Sequence, residues 1–111
     1  IMASAFKTET AVDIGTGLSS VYTCPNSTTT TIIGLYICNV AGADITATVQ
    51  LYNASANHHA SIVNGVEIPA GSTLAPIGGD AKVVLEAGDI IKCQSNTTSS
   101  VDIVLSYLEQ T

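Results

Sequence analysis

The chain has 111 residues, which suits one domain with a modest hydrophobic core. Only 11% of the residues are charged, against about 25% in typical soluble domains, so Thr, Ser, Asn and Gly must cover much of the surface. The net charge is −6, with three Lys and no Arg, which argues against nucleic acid and anionic membranes as partners.

The sequence predicts strands and no helix, because no long window carries apolar residues at helical spacing. Short runs rich in Val, Ile, Thr and Tyr are separated by Gly, Pro, Asn and Asp, as in sandwiches and barrels. In chain order the predicted strands are 5–14, 18–24, 32–40, 45–52, 58–63, 66–68, 73–77, 82–85, 90–95 and 101–108. We therefore predict an all-β fold, a two-sheet antiparallel β-sandwich of the jelly-roll or immunoglobulin-like type. We predict a single domain over residues 2–111. The range begins at residue 2 because Ile1 precedes Met2, where we expect the natural chain to start.

The third predicted strand is apolar on both faces. A hairpin to strand 45–52 across a loop at Gly42 would place its residues Ile33, Leu35 and Ile37 on the core side. The opposite face would then be an exposed apolar surface, formed by Ile32, Tyr36, Cys38, Val40 and Tyr52. Exposed apolar surfaces mark interfaces, so we predict a homo-oligomer, a trimer or dimer, that forms through this face.

Two alternatives for this strand stay open at the level of sequence. A regular four-residue loop would exchange the two faces and leave Ile33, Leu35 and Ile37 outside. The N-terminal segment, with Phe6, would otherwise cover the face itself.

No residues are arranged as in a known catalytic site, so we predict no enzyme, no catalytic residues and no cofactor. His58 and His59 are adjacent, and neighbouring strand residues point to opposite faces, so they do not converge on a metal. Several carboxylates lie beside Gly in predicted turns: Asp44, Asp80, Glu86 and Asp89. A calcium site from Asp80 and Asp89 is conceivable, but the spacing of a calcium loop is absent. We therefore predict no metal site.

The three cysteines are Cys24, Cys38 and Cys93. Their odd number and wide spacing favour free, buried thiols over a disulfide framework. A bond between Cys24 and Cys93 stays open if their strands are adjacent.

Several stretches together resemble a known group of proteins. MASAFK opens the chain at residue 2, and VYTCP at 21–25 leads through a Thr run to IGL at 33–35 and ICNV at 37–40. IPAGSTL at 68–74 then leads to LEAGDII at 85–91. This layout, which covers most of the chain, resembles small virion structural proteins of marine tailed phages, of the cyanophage and pelagiphage kind.

The resemblance implies a non-enzymatic structural or assembly protein of a bacteriophage virion: a capsid decoration, neck or tail component. It would fold in the bacterial host cytoplasm, where thiols stay reduced, and its partners would be itself and other virion proteins. The alternative is a carbohydrate- or cell-surface-binding β-sandwich module. Such modules usually present exposed aromatic rings, and the chain has no Trp and one Phe, which favours the assembly protein.

Overall fold

A computed structural model describes residues 3–111; the predicted start at Met2, with Ile1 before it, lies outside the described residues. The described residues form nine β-strands and no helix. The strands are β1 (Ser4–Ile14), β2 (Ser19–Thr23), β3 (Thr29–Asn39), β4 (Ile45–Asn53), β5 (His58–Ile68), β6 (Thr73–Ile77), β7 (Val83–Leu85), β8 (Ile90–Ser95) and β9 (Val101–Gln110).

The strands form two antiparallel sheets. Sheet A has the order β1-β9-β3-β6, and the short strand β7 also pairs with β3, beside β6. Sheet B has the order β2-β8-β4-β5. The two sheets pack face to face, which confirms the predicted all-β, two-sheet antiparallel sandwich.

The pairing is nested along the chain. The first strand pairs with the last, β2 pairs with β8, β3 pairs with β6, and β4 pairs with β5. A long folded hairpin rolled around the core gives this order, and successive strands therefore alternate between the two sheets through most of the chain.

The core lies between the sheets and is built by the period-two alternation of the strands. In β9 the odd-numbered residues Val101, Ile103 and Leu105 are buried, and the even-numbered residues between them are more exposed. Sheet B contributes the buried residues Ile45, Ala47, Val49, Ile91 and Cys93.

The segment from His58 to Ile68 is one strand, although the sequence indicated two. Gly65 has a positive φ of 62°, and its N–H donates to Thr48 Oγ1 at 3.0 Å. The β4–β5 register shifts twice near Val49. These bulges interrupt the hydrophobic alternation that sequence reasoning needs, while the strand itself continues.

Two corners of the sandwich are closed by the stretches that carry the phage resemblance. At one corner the Asn39 side chain donates to Ala43 O and Ile68 O, both at 2.9 Å, and the Gly71 N–H donates to Asn39 O. At the other, Cys24 N donates to Asp89 O at 2.8 Å and Gly88 N donates to Cys24 O at 2.9 Å. These hydrogen bonds fix the turns at the ends of the strands.

Candidate functional site

The five residues predicted to form one exposed face lie on different surfaces. Tyr36 and Val40, each 48% exposed, and the half-buried Cys38 lie on the solvent side of β3. Ile32 is fully buried in the core, and Tyr52 lies in β4, which belongs to sheet B. The prediction of a shared face is therefore wrong for Ile32 and Tyr52.

A bulge in β3 explains the position of Ile32. The β3–β9 register shifts between Ile32 and Gly34, so Ile32 and Leu35 both face the core while Ile33 turns outward. A Cβ added at Gly34 would lie 3.7 Å from Cε2 of Tyr36, so the Tyr36 ring covers the backbone at this glycine.

The partner of β3 explains the position of Tyr52. β3 pairs with β9, β6 and β7, and the chain crosses to the other sheet before β4. Neither loop alternative for a β3–β4 hairpin applies, because these strands are not paired. The N-terminal segment does not cover β3 either, since β1 pairs with β9 at the edge of sheet A and Phe6 is 78% exposed.

The solvent side of sheet A, called here the sheet A face, carries a nearly uncharged apolar surface. Tyr36 stands opposite Val104, and Thr31 stands between Leu108 and Val84. Its larger apolar members are Phe6, Ile33, Tyr36, Val84, Val104 and Leu108. Among residues 3–111, Asp102 is the one charged residue that the strand alternation places on this face.

A shallow depression lies on the sheet A face where β1, β9 and β3 run side by side. Its volume is ≈ 280 Å³, and it is lined by Phe6, Lys7, Thr8, Ile33, Ser106 and Tyr107. Small side chains on β9 and large ones on the flanking strands create the depression. The Lys7 ammonium group is turned toward Glu109 and donates a hydrogen bond to it.

A polar cluster closes one end of the sandwich beneath the sheet A face. Glu109, which is largely buried, accepts hydrogen bonds from Lys7 Nζ at 2.7 Å and from Tyr22 Oη at 2.5 Å. Tyr22 Oη also lies 2.8 Å from Thr30 Oγ1, and its ring packs against Tyr107 with centroids 4.4 Å apart. The cluster joins β1, β2, β3 and β9, so it ties both sheets together.

The groups of this cluster have shifted pKa values. Hydrogen bonds from Lys7 and then Tyr22 lower the pKa of Glu109, because both donors stabilise the carboxylate. Burial, followed by the hydrogen bond to Glu109, raises the pKa of Tyr22. Every polar group has a partner here, so the cluster is a satisfied structural network.

The histidines lie at the start of β5, on a strand and exposed, where the sequence had placed a short strand. The His59 ring packs against Tyr52 at a tilt of 47°, with centroids 4.9 Å apart, and its Nε2 lies 3.3 Å from Lys92 Nζ. A neighbouring ammonium group opposes a cation at the same nitrogen, so this group does not form a metal site.

The carboxylates act as turn residues. Asp89 is buried and accepts from Ala54 N at 2.9 Å through Oδ1 and from Glu86 N at 2.9 Å through Oδ2. Asp44 accepts from Ala70 N at 3.1 Å. Both oxygens of Asp89 are thus used by the backbone, and residues 3–111 contain no group of three or more His, Cys, Asp or Glu side chains that could hold a metal ion.

All three cysteines have free thiols, with Cys24 and Cys93 buried and Cys38 half-buried. Cys24 stands opposite Asp89, and Cys93 lies further along β8, opposite Ser19. At about 3.3 Å per residue this places them roughly 13 Å apart. A disulfide needs Cα atoms within about 7 Å, so the possible Cys24–Cys93 bond does not fit this fold.

Comparison with known proteins identifies a fold relative and no family. No protein-family model matches the chain, and no curated protein matches it significantly. The chain is similar to a solved structure reported under the description "Bacillus endospore appendages form a novel family of disulfide-linked pili". The TM-score is 0.56 and the identity 10%, over 98% of this chain and 86% of that chain. At this identity the likeness shows a shared fold.

No helix in residues 3–111 is long and apolar enough to cross a membrane.

Proposed function

We propose that this chain is a non-enzymatic structural subunit that self-associates through the sheet A face. One observation carries the proposal: this face presents large exposed apolar side chains, including Phe6, Val84 and Tyr36, with a single charge at one end. Apolar surfaces of this kind, surrounded by polar residues, mark contact sites. The fold likeness to a subunit of a pilus is consistent with a role in an assembly.

The chemistry of the face suits a second copy of the same chain. Each copy carries a net charge of −6, so copies repel one another wherever acidic residues meet. The sheet A face avoids this repulsion, because Thr, Ser and Gln surround its apolar residues. A two-fold arrangement in which two such faces pack together is the simplest one, since the same patch then serves both partners.

The finer proposal is that the subunit belongs to the virion of a marine tailed phage, as a capsid decoration, neck or tail component. Its support is the sequence resemblance at the corners of the sandwich and the nested strand pairing, an order that a jelly roll would also have. Jelly rolls are frequent in viral capsids, and this part of the proposal is an analogy of fold. Mass spectrometry of purified virions from a phage that encodes this chain would detect it, and its absence from them would contradict the assignment.

Light scattering at micromolar concentration tests self-association. We expect the parent protein to be oligomeric and Tyr36→Glu to weaken the oligomer, because the new charge would be buried between two apolar faces. Tyr52→Glu is the matched control, since Tyr52 lies on sheet B and its substitution should leave association unchanged. A monomeric parent protein would contradict the proposed function. Equal effects of the two substitutions would contradict the choice of face.

A further inference from the structure

The free edge of β1 differs from the other edges of the two sheets. Natural proteins protect edge strands by making them short, by bulges, by proline or by charged side chains, and of these β1 has only the charged pair Lys7 and Glu9 along its regular part. β2 and β6 each have five residues and a register shift, β6 also contains Pro76, and β7 has three residues. β5 is long but carries two register shifts. β1 has 11 residues and pairs with β9 without a shift from Ser4 to Ala11.

The hydrogen-bond pattern shows which backbone groups of β1 face outward. Ala3 and Thr111 exchange both backbone hydrogen bonds, at 3.2 and 2.9 Å. In an antiparallel pair such residues alternate with residues whose N–H and C=O point away from the partner. The odd-numbered residues of β1 therefore bond to β9, and the even-numbered residues, with Thr8 at the centre, present their backbone groups at the free edge.

The sequence of β1 is complementary to itself around Thr8. If a second copy pairs antiparallel with Thr8 opposite Thr8, Lys7 of each copy stands opposite Glu9 of the other. Glu9 is half-buried and makes no side-chain hydrogen bond to the described residues, while Lys7 keeps donors beyond the one used by Glu109. Lys7 and Glu9 would form non-hydrogen-bonded pairs, where facing side chains lie closest.

We infer that β1 of one copy adds to β1 of a second copy, antiparallel and centred on Thr8, and so joins two A sheets into one continuous sheet. About six backbone hydrogen bonds would form, two at Thr8 and two at each pairing of Phe6 with Thr10. This inference rests on the proposed self-association and adds a second contact to it. A subunit with two different two-fold contacts builds an extended assembly, whereas either contact alone stops at a dimer.

Substitutions at the edge leave the backbone pairing of β1 with β9 in place, although Lys7→Glu also removes the ion pair between Lys7 and Glu109. Thr8→Pro removes an N–H that faces the free edge, where proline is tolerated in strands. Glu9→Lys places Lys opposite Lys in the paired edge, and Lys7→Glu places Glu opposite Glu. A mixture of the last two variants restores two opposite-charge pairs, because each Lys of one chain then faces a Glu of the other.

Sedimentation velocity of the full chain, with Tyr36→Glu as the background, isolates the edge contact. We expect a dimer in this background, a monomer after adding Thr8→Pro, and a dissociation constant roughly 10- to 30-fold higher for either charge variant alone. Mixing the two charge variants should recover the dimer. Thermal unfolding of each variant checks that the sandwich remains folded.

The outcomes separate this inference from the proposed function. The β1 pairing is wrong if the edge variants associate as strongly as the Tyr36→Glu protein, or if mixing the two charge variants does not restore the dimer. Self-association still stands in that case, provided that the parent protein is oligomeric. If the parent protein is a monomer, both proposals fail.

Discussion

Adjacent isoleucines in β3 offer a direct test of the bulge that positions the sheet A face. Ile32 is fully buried, whereas Ile33, the next residue, is partly exposed on the sheet A face and lines its depression. A regular strand would also place these residues on opposite faces, but would put Ile33 on the same side as Leu35 and Ile37. Replacing each isoleucine by Ala therefore distinguishes the bulged strand from the regular one.

The expected loss in the free energy of unfolding follows from the burial of each side chain. Ile32→Ala removes about three methylene equivalents from the core, which costs roughly 2.4 kcal/mol of transfer free energy at about 0.8 kcal/mol each. The remaining cavity raises the loss in the free energy of unfolding to about 3–4 kcal/mol. For a domain of this size about 1 kcal/mol changes Tm by roughly 4 °C, so we expect Tm to fall by about 12–16 °C. Ile33→Ala should cost about 1 kcal/mol or less, since solvent reaches the gap.

Urea unfolding of both variants in the combined Thr8→Pro and Tyr36→Glu background, which we expect to be monomeric, provides the measurement. This background is needed because association stabilises the folded chain and makes Tm depend on protein concentration. Ile32→Val is the conservative control and should lose about 0.5–1.5 kcal/mol. Equal losses for Ile32→Ala and Ile33→Ala, or a larger loss for Ile33→Ala, would show that β3 has no bulge at Gly34 and that the face is assigned incorrectly.

Two further predictions concern the titratable groups. The pKa of Glu109 is lowered in the folded state, so its stabilising contribution is present above the ordinary glutamate pKa of about 4.3 and is lost as pH falls through the folded value. Glu109→Gln should therefore flatten the decline of Tm in acid, whereas the control Glu67→Gln, on the exposed edge strand β5, should follow the parent protein. Identical acid profiles for the two variants would contradict the role of the cluster. Cys24 and Cys93 are buried, and burial raises the pKa of Cys93 to about 11. In the native state a thiol reagent at neutral pH should therefore modify only the half-buried Cys38, whereas all three thiols should react after denaturation. Finding one reactive thiol in the denatured, non-reduced protein would show a disulfide.

The strands were predictable because their information is local. In β4 the alternation of Ile45, Ala47 and Val49 with threonines fixes both the strand and its buried face. Turn residues determine where β8 and β9 begin, and the observed and predicted first residues agree at Ile90 and Val101. Burial on one face and turn chemistry at each end suffice to define such elements.

The face of β3 was harder to predict because it depends on a distant partner. The sequence placed β3 beside β4, its nearest neighbour along the chain, whereas β9 pairs with it more than 60 residues later. The bulge at Gly34 is set by that pairing and by the Tyr36 ring over the glycine, neither of which has a sequence signature. A one-residue change of phase moves Ile32 from the outer face into the core.

Phe6, Val84 and Val104 were missed for a related reason. Each lies in a strand that reads as ordinary, and they become one surface only when β1, β9, β3 and β7 are placed side by side. The polar cluster around Glu109 is equally non-local, since Lys7 and Glu109 lie 102 residues apart in sequence. A signal was present in part: Phe6 is the single Phe of the chain and is followed directly by four polar residues, 7–10.

The distribution of charge links the two proposed contacts. Asp44, Glu86 and Asp89 lie in turns, where they bond or adjoin backbone N–H groups at the ends of the sandwich. Acidic residues placed there leave the sheet A face almost neutral, and on β1 Glu9 would face Lys7 of a second copy in the proposed edge contact. A chain with a net charge of −6 can therefore meet its own copies through a face that carries little charge and through an edge whose charges are complementary. The exposed Phe6 lies where the two surfaces meet, and association through either one would remove part of its ring from water.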